Sequence, residues 1–251
     1  MSGEKRTIHI IDNHVHVGWY TDGYHSPKEI WDTIKSSGIE EIAVSSTSTC
    51  AEKYKLVVRE IRELQRMGGD KVHPILWLTP RMLRTYGIRY MLHSKIKWKG
   101  VKLHWLAHPE WGRNKQILQY ALDIVKQLDV PLLMHSGEQD CCQPYLYGPI
   151  CNELKNTIVL AHGRPLDQTM LLLKEYPHTM VDTAFMPTEH VIRLVEKGYE
   201  DRIAFGTDTP IQMVYDTTTP IGLQLNNQVD ELIAMLPNHT SSKILSHNLY
   251  K

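Results

Sequence analysis

Asp12-Asn13-His14-Val15-His16 carries a carboxylate and two imidazoles at a spacing of two, after the apolar run Ile8-His9-Ile10-Ile11 and just before Gly18. That spacing puts Asp12, His14 and His16 on one face of an extended strand. Two imidazoles facing one way at the end of a buried strand make half of a metal site. A helical pair needs a spacing of four, as in H-E-x-x-H, and this stretch lacks it. The remaining ligands must come from other strand ends.

The elements that would supply them are legible in the hydrophobic pattern. Short apolar runs alternate with longer helical stretches. Eight strands are predicted, over residues 7–12, 41–45, 72–78, 100–104, 130–135, 157–162, 179–183 and 202–206. They lack polar alternation, as parallel strands buried on both faces do. Helices are predicted over 27–36, 51–67, 114–128, 167–175, 188–196 and 222–236, with less regular ones over 80–93 and 143–154. Ser26 and Pro27 suit an N-cap and first helical position, and Gly68-Gly69 a stop. Eight β-α repeats in 251 residues predict an α/β fold, a (β/α)8 TIM barrel. An open doubly wound sheet is disfavoured, because no G-x-G-x-x-G or Walker loop follows a strand.

Bulk composition narrows the function classes. Lys+Arg 28 balances Asp+Glu 28, so neither nucleic acid nor an anionic membrane is an expected partner. The charged stretch Met1-Ser2-Gly3-Glu4-Lys5-Arg6 has no apolar signal core, and no run has membrane-spanning length. Four cysteines do not make a disulfide framework, and Cys141-Cys142 reads as packing. A cytoplasmic protein with a small-molecule substrate is expected, and a homo-oligomer is compatible. Lys95-Ile96-Lys97-Trp98-Lys99 leads into the fourth strand from the bottom of the barrel and reads as a solvated face.

In such a barrel the chemistry gathers at the C-terminal strand ends. The predicted ends carry His14 and His16, then Lys102-Leu103-His104-Trp105, then His135, His162 and Asp208. A lone histidine at a strand end is usually a hydrogen-bonded core residue. Its recurrence at one level on several strands points instead to a shared site.

His14-x-His16 with His135, His162 and Asp208 resembles the amidohydrolase superfamily over nearly the whole chain. The pieces PLLMHSGE (131–138), IVLAHG (158–163) and IAFGTDTP (203–210) resemble most closely the amidohydrolase-2 branch, which includes relatives of aminocarboxymuconate-semialdehyde decarboxylase. TatD-type deoxyribonuclease relatives carry a glutamate at the end of the fourth strand, where this chain has Lys102. Polymerase-associated phosphoesterases end on D-x-H, where this chain has Gly206-Thr207-Asp208-Thr209-Pro210. The metal pair near residue 14 leaves no room for the leading β-sandwich of the urease and cytosine deaminase branches, so a single domain over 1–251 is expected.

The resemblance implies His14, His16, His135 and Asp208 around one divalent ion. Zinc suits imidazole and carboxylate ligands, with manganese or iron as alternatives. Asp208 would also accept the proton of an activated water. His162 either polarises a substrate carbonyl or moves a proton from off the metal, or joins a second ion bridged by a carboxylated Lys102. Asp12 is expected to orient an imidazole. His104, Trp105 and Arg164 are the substrate-binding candidates. Trp19, Glu138, Tyr145, Tyr147 and Asp182 fall on predicted top-face loops or strand ends. The leading expectation is a metal-dependent hydrolase of an amide, lactone or ester. A nonhydrolytic decarboxylase comes second, and a catalytically idle metal-binding barrel third.

Overall fold

The computed structural model describes residues 8–211, 216 and 218–250. Among these, eight strands run parallel in chain order: β1 (Ile11–Tyr20), β3 (Glu41–Ser46), β4 (Val72–Trp77), β5 (Gly100–Leu103), β6 (Leu132–His135), β7 (Ile158–Ala161), β8 (Thr179–Asp182) and β9 (Ile203–Ala204). A short β2 (Gly23–His25) pairs antiparallel with the end of β1. The sheet closes on itself after β9. Asn13 N donates to Phe205 O (2.9 Å), Asp208 N to His14 O (2.7 Å) and His16 N to Thr209 O (2.6 Å). Val15 and Thr209 form a parallel bridge. The result is the expected TIM barrel.

Asp12 clasps this seam. Its Oδ1 accepts from His14 N (3.0 Å) and Thr207 N (3.1 Å), and its Oδ2 from Thr207 Oγ1 (2.6 Å). Burial raises the Asp12 carboxyl to about 7. The expected first strand, 7–12, needs correction. Its first residue, like the stretch 1–6, lies outside the described residues. The strand itself starts at Ile11 and runs through the histidines to Tyr20. Polar residues do not end it, because Asp12, Asn13, His14 and His16 are all bonded and buried.

The helices follow the sequence with local exceptions. α1 (Pro27–Ser36) opens with a full capping box between Ser26 and Glu29. α2 (Tyr54–Gly68) starts later than expected, because Glu52 sits at φ 58°. The stretch 80–93 splits into α3 (Pro80–Arg84) and α4 (Gly87–Leu92), interrupted by an extended Thr85. α5 (Lys115–Leu128) is capped by Asn114 and ends at a left-handed Asp129. α6 (Gly148–Glu153) is shorter than 143–154, since residues 144–147 form a 3-10 turn. α7 (Leu166–Glu175), α8 (Thr188–Glu196) and α9 (Ile221–Met235) lie where predicted. α10 (Asn238–Leu245) was not anticipated.

One large core packs the helices on the outside of the sheet, and a smaller one fills the barrel floor. All four cysteines are free, with Cys142 buried in the outer core. In residues 95–99, Ile96 and Trp98 are buried while Lys95 and Lys97 are exposed, the pattern of a solvated edge. No helix among the described residues is long and apolar enough to cross a membrane.

Candidate metal centre

Inward-facing residues of a strand recur every second position. On β5 these are Gly100 and Lys102, with His104 continuing the series; on β6, Leu133 and His135; on β8, Met180 and Asp182. The bulge between Asp12 and Val15 takes Asp12 out of the pleat, leaving His14 and His16 to face the interior.

Each imidazole is held through its Nδ1. His14 Nδ1 lies 2.9 Å from Asp182 Oδ2. A carboxylate only accepts, so the proton sits on Nδ1 and the Nε2 lone pair is left for the centre. His16 Nδ1 meets Ser45 Oγ (2.9 Å) and Ser45 O (3.3 Å). His162 Nδ1 donates to Ala184 O (2.9 Å). Asp182 Oδ1 accepts from His162 N (3.0 Å) and Ala184 N (3.1 Å), so one buried carboxylate organises two histidines. Both its oxygens are spent on this, which removes it as a ligand although it stands within ligand spacing of His14 and His162.

The Nε2 atoms of His14 and His16 converge on Asp208 Oδ1, at 3.1 and 2.9 Å. That oxygen is buried and has no hydrogen-bond donor. Donor atoms gathered this closely repel unless a cation stands among them, and the Lys102 ammonium, 2.8 and 2.9 Å from the two nitrogens, is the cation the chain itself supplies. Adjacent ligands of an ion bound at about 2.1 Å stand about 3.0 Å apart in an octahedral shell and about 3.4 Å in a tetrahedral one, so the donor set is close to the spacing a divalent metal needs. Burial keeps His16, at about 3, and His162 below their ordinary values, which favours the neutral ligand form. Burial alone would raise Asp208, but the His14, His16 and His162 imidazoles around it hold its carboxyl well below the usual range.

Lys102 Nζ, fully buried, approaches the same two nitrogens at 2.8 and 2.9 Å, and burial lowers it to about 8. His135 stands slightly apart. Its Nδ1 lies 3.0 Å from His162 Nε2, and its ring stacks on His104 at 3.9 Å. His104 stacks in turn on Trp77 (5.4 Å, 7°). The structure therefore groups His14, His16 and Asp208 at ligand spacing and pairs His135 with His162. His162 and Asp208 both have left-handed backbones, φ 71° and 62°. Such strain at non-glycine residues is typical of functional sites.

Above the centre lies a cavity of about 940 Å³, lined among others by His104, His135, Glu138, Arg164, Trp77 and Trp19. Arg164 Nη1 stands 3.7 Å from Glu138 Oε1, and its Nε is buried without a partner.

Three expectations need correction. Trp105 does not line the cavity; it packs against Trp111 and Tyr147, because the pleat that turns Lys102 and His104 inward turns residue 105 outward. Asp12 orients no imidazole, since it bonds backbone and Thr207 at the seam. Tyr145 is exposed, while Tyr147 is buried and donates from its hydroxyl to His135 O (2.5 Å). Sequence reasoning missed Trp77 and Ser45, and it placed Asp182 at the top without its role. A signal for Asp182 exists: a carboxylate inside an otherwise apolar strand must be partnered.

Three solved structures share the fold. A probable 2-pyrone-4,6-dicarboxylic acid hydrolase from Acinetobacter baumannii, with citric acid bound, superposes with a TM-score of 0.69 at 15% identity, covering 94% of this chain and 96% of that one. A 4-oxalomesaconate hydratase from Rhodopseudomonas palustris gives 0.59 at 10%, covering 94% and 93%. A 5-carboxyvanillate decarboxylase from Novosphingobium aromaticivorans, complexed with manganese and a nitrobenzoic acid, gives 0.58 at 14%, covering 86% and 77%. No curated protein matches the chain. An amidohydrolase family model matches residues 92–247, more than half of the chain. With that match and this centre, the chain belongs to the amidohydrolase family, in its amidohydrolase-2 branch.

Proposed function

We propose that this protein is a metal-dependent hydrolase that attacks a carbonyl-type carbon, of an amide, lactone or ester, in a small molecule. The observation that carries the reading is Asp208 Oδ1: buried, without a donor, and 2.9 and 3.1 Å from two imidazole nitrogens whose other nitrogens are already engaged. His14, His16 and Asp208 would hold the ion, zinc first, with manganese or iron as alternatives. When bound, such an ion supplies Lewis acidity and lowers the pKa of water toward neutrality.

The remaining work falls to this chain's own residues. Asp208 Oδ2, 4.0 Å from His162 Nε2, accepts the proton of the attacking water. The His162–His135 pair carries it on to the leaving group. His104 and Arg164 bind the substrate from the cavity wall. In the two-metal form of the same reading, Lys102, carboxylated, would join His162 and His135 in holding a second ion.

The solved structures of this fold bear the names of a hydrolase, a hydratase and a decarboxylase, so the assay must separate bond types. Purified protein loaded with zinc, manganese or iron is offered a panel of esters, lactones, amides and carboxylated substrates, with carbon dioxide monitored. Hydrolysis without carbon dioxide supports the proposal. Carbon dioxide release establishes the decarboxylase instead, and no turnover across the panel leaves an idle barrel. Asp208→Asn is expected to lower turnover by at least about 1,000-fold with an unchanged far-ultraviolet spectrum. Survival of turnover in that variant rules out the proton-transfer role.

A further inference from the structure

Beneath the metal centre the barrel is hollowed for one aromatic ring. Tyr250 is fully buried inside the sheet, in a cluster with Ala43, Ile75, Leu133, Val159, Ala204 and Leu249. A Cβ on Gly100 would stand 2.7 Å from both Ile75 Cδ1 and Tyr250 Cε1, so glycine is what leaves room for the ring.

These floor residues lie on the strands that carry the site. Gly100 precedes Lys102 by two positions, Leu133 precedes His135, and Ala43 precedes Ser45, the residue that holds His16. Gly100, Leu133 and Ala43 are therefore on the same inward face as Lys102, His135 and Ser45, about 7 Å below them. Ala204 pairs in register with Asp182. The segment that delivers the ring is bonded to the histidine motif itself. Asn13, between Asp12 and His14, donates from Nδ2 to His247 O (2.8 Å) and Phe205 O (2.9 Å), and accepts from Leu249 N (3.0 Å). Asn248 Nδ2 donates to Glu41 Oε2 (3.1 Å).

We propose that Tyr250 is a positioning residue of the metal centre: its ring holds the site strands apart at the spacing that lets His14, His16 and Asp208 converge. This rests on the metal-dependent reading above. The ring, rather than the hydroxyl, carries the effect, since the hydroxyl is buried without a hydrogen-bond partner.

The test is zinc affinity, by competition with a chromogenic chelator, and the visible spectrum of the cobalt-loaded full chain. Tyr250→Ala is expected to bind zinc about 10-fold more weakly and to shift the cobalt spectrum. Millimolar 4-methylphenol, which refills the space, restores both. Tyr250→Phe behaves as the unmodified chain. Leu64→Ala, a core truncation in α2 on the outer side of the sheet, controls for lost stability and leaves zinc affinity unchanged.

Equal zinc affinity in Tyr250→Ala overturns the proposal, and so does a loss that Leu64→Ala reproduces or 4-methylphenol fails to restore. If Tyr250→Ala does not fold, Tyr250→Leu carries the same comparison. An unmodified chain that takes up no ion sinks the metal-dependent reading and this proposal with it. An unmodified chain that binds zinc no better than Tyr250→Ala sinks this proposal alone.

Discussion

Asp182 touches no ion in the proposed centre, yet it decides which nitrogen of His14 faces it. Its Oδ2 accepts from His14 Nδ1, while its Oδ1 accepts from two backbone N–H groups. An asparagine whose oxygen kept the backbone bonds would present N–H to His14 Nδ1. The imidazole would then move its proton to Nε2 and withdraw its lone pair from the centre. Asp182→Asn is therefore expected to keep the fold and lose about 10- to 100-fold in metal affinity, measured by chelator competition; undiminished affinity would show that Asp182 has no say in the tautomer. His14, His16, His162 and Asp208 were picked out in sequence because each follows a short apolar run, although β1 continues through both histidines to Tyr20 and β9 stops at Ala204, short of Asp208. Asp182 was legible as a position but not as a role, because its partners lie on β1, just past β7 and in the turn after β8. Trp105 was misread for a local reason: one residue past His104, the pleat reverses the face.

At the scale of elements, the unforeseen piece that reaches the site is the β1–β2 hairpin, which carries Trp19 to the cavity rim. A buried carboxylate in α2 steadies it. Glu60 accepts from Ser46 Oγ (2.5 Å) and Ser48 Oγ (2.9 Å), and Ser48 Oγ accepts from Trp19 N (3.4 Å). Gly18, at φ 106°, passes so close that a Cβ would stand 2.6 Å from Ser48 Oγ. No periodicity announces such an arrangement, since it depends on a helix and two strand ends meeting. The well-marked helices, α1 and α5, were legible from caps and apolar spacing alone. Burial raises the Glu60 carboxyl above its ordinary value. The native state then holds a proton that the unfolded chain has released, so stability falls as pH rises. Glu60's contribution is complete below the ordinary carboxyl pKa of about 4.3 and is lost as pH climbs through the raised native value. Glu60→Gln mimics the neutral form and should flatten that slope. Urea midpoints across this range check it, and parallel slopes for the two proteins would exclude Glu60 as the source.

The whole molecule is a sheet whose first and last strands must meet, and the proposed ligands straddle that meeting. His14 and His16 come from β1, and Asp208 from the stretch after β9, across the seam closed by Asp12, Asn13 and the Val15–Thr209 bridge. The alternation of short apolar runs with helices made the barrel legible. The closure was not, because β9 spans only Ile203–Ala204 and the bonds beyond it are irregular. An ion shared by both sides of the seam binds only when the barrel is closed, so it stabilises the native state by mass action. With free ion about 100-fold above its dissociation constant the gain is about 2.7 kcal/mol, which for a chain of this length raises Tm by about 5–10 °C. Chelator-stripped and zinc-loaded protein should therefore melt that far apart by calorimetry, and Asp208→Asn, with one side of the seam unable to ligate as well, should show a smaller gap. Coincident melting curves for stripped and loaded protein, at zinc levels where binding is saturated, would mean that the ion does not join the two strands.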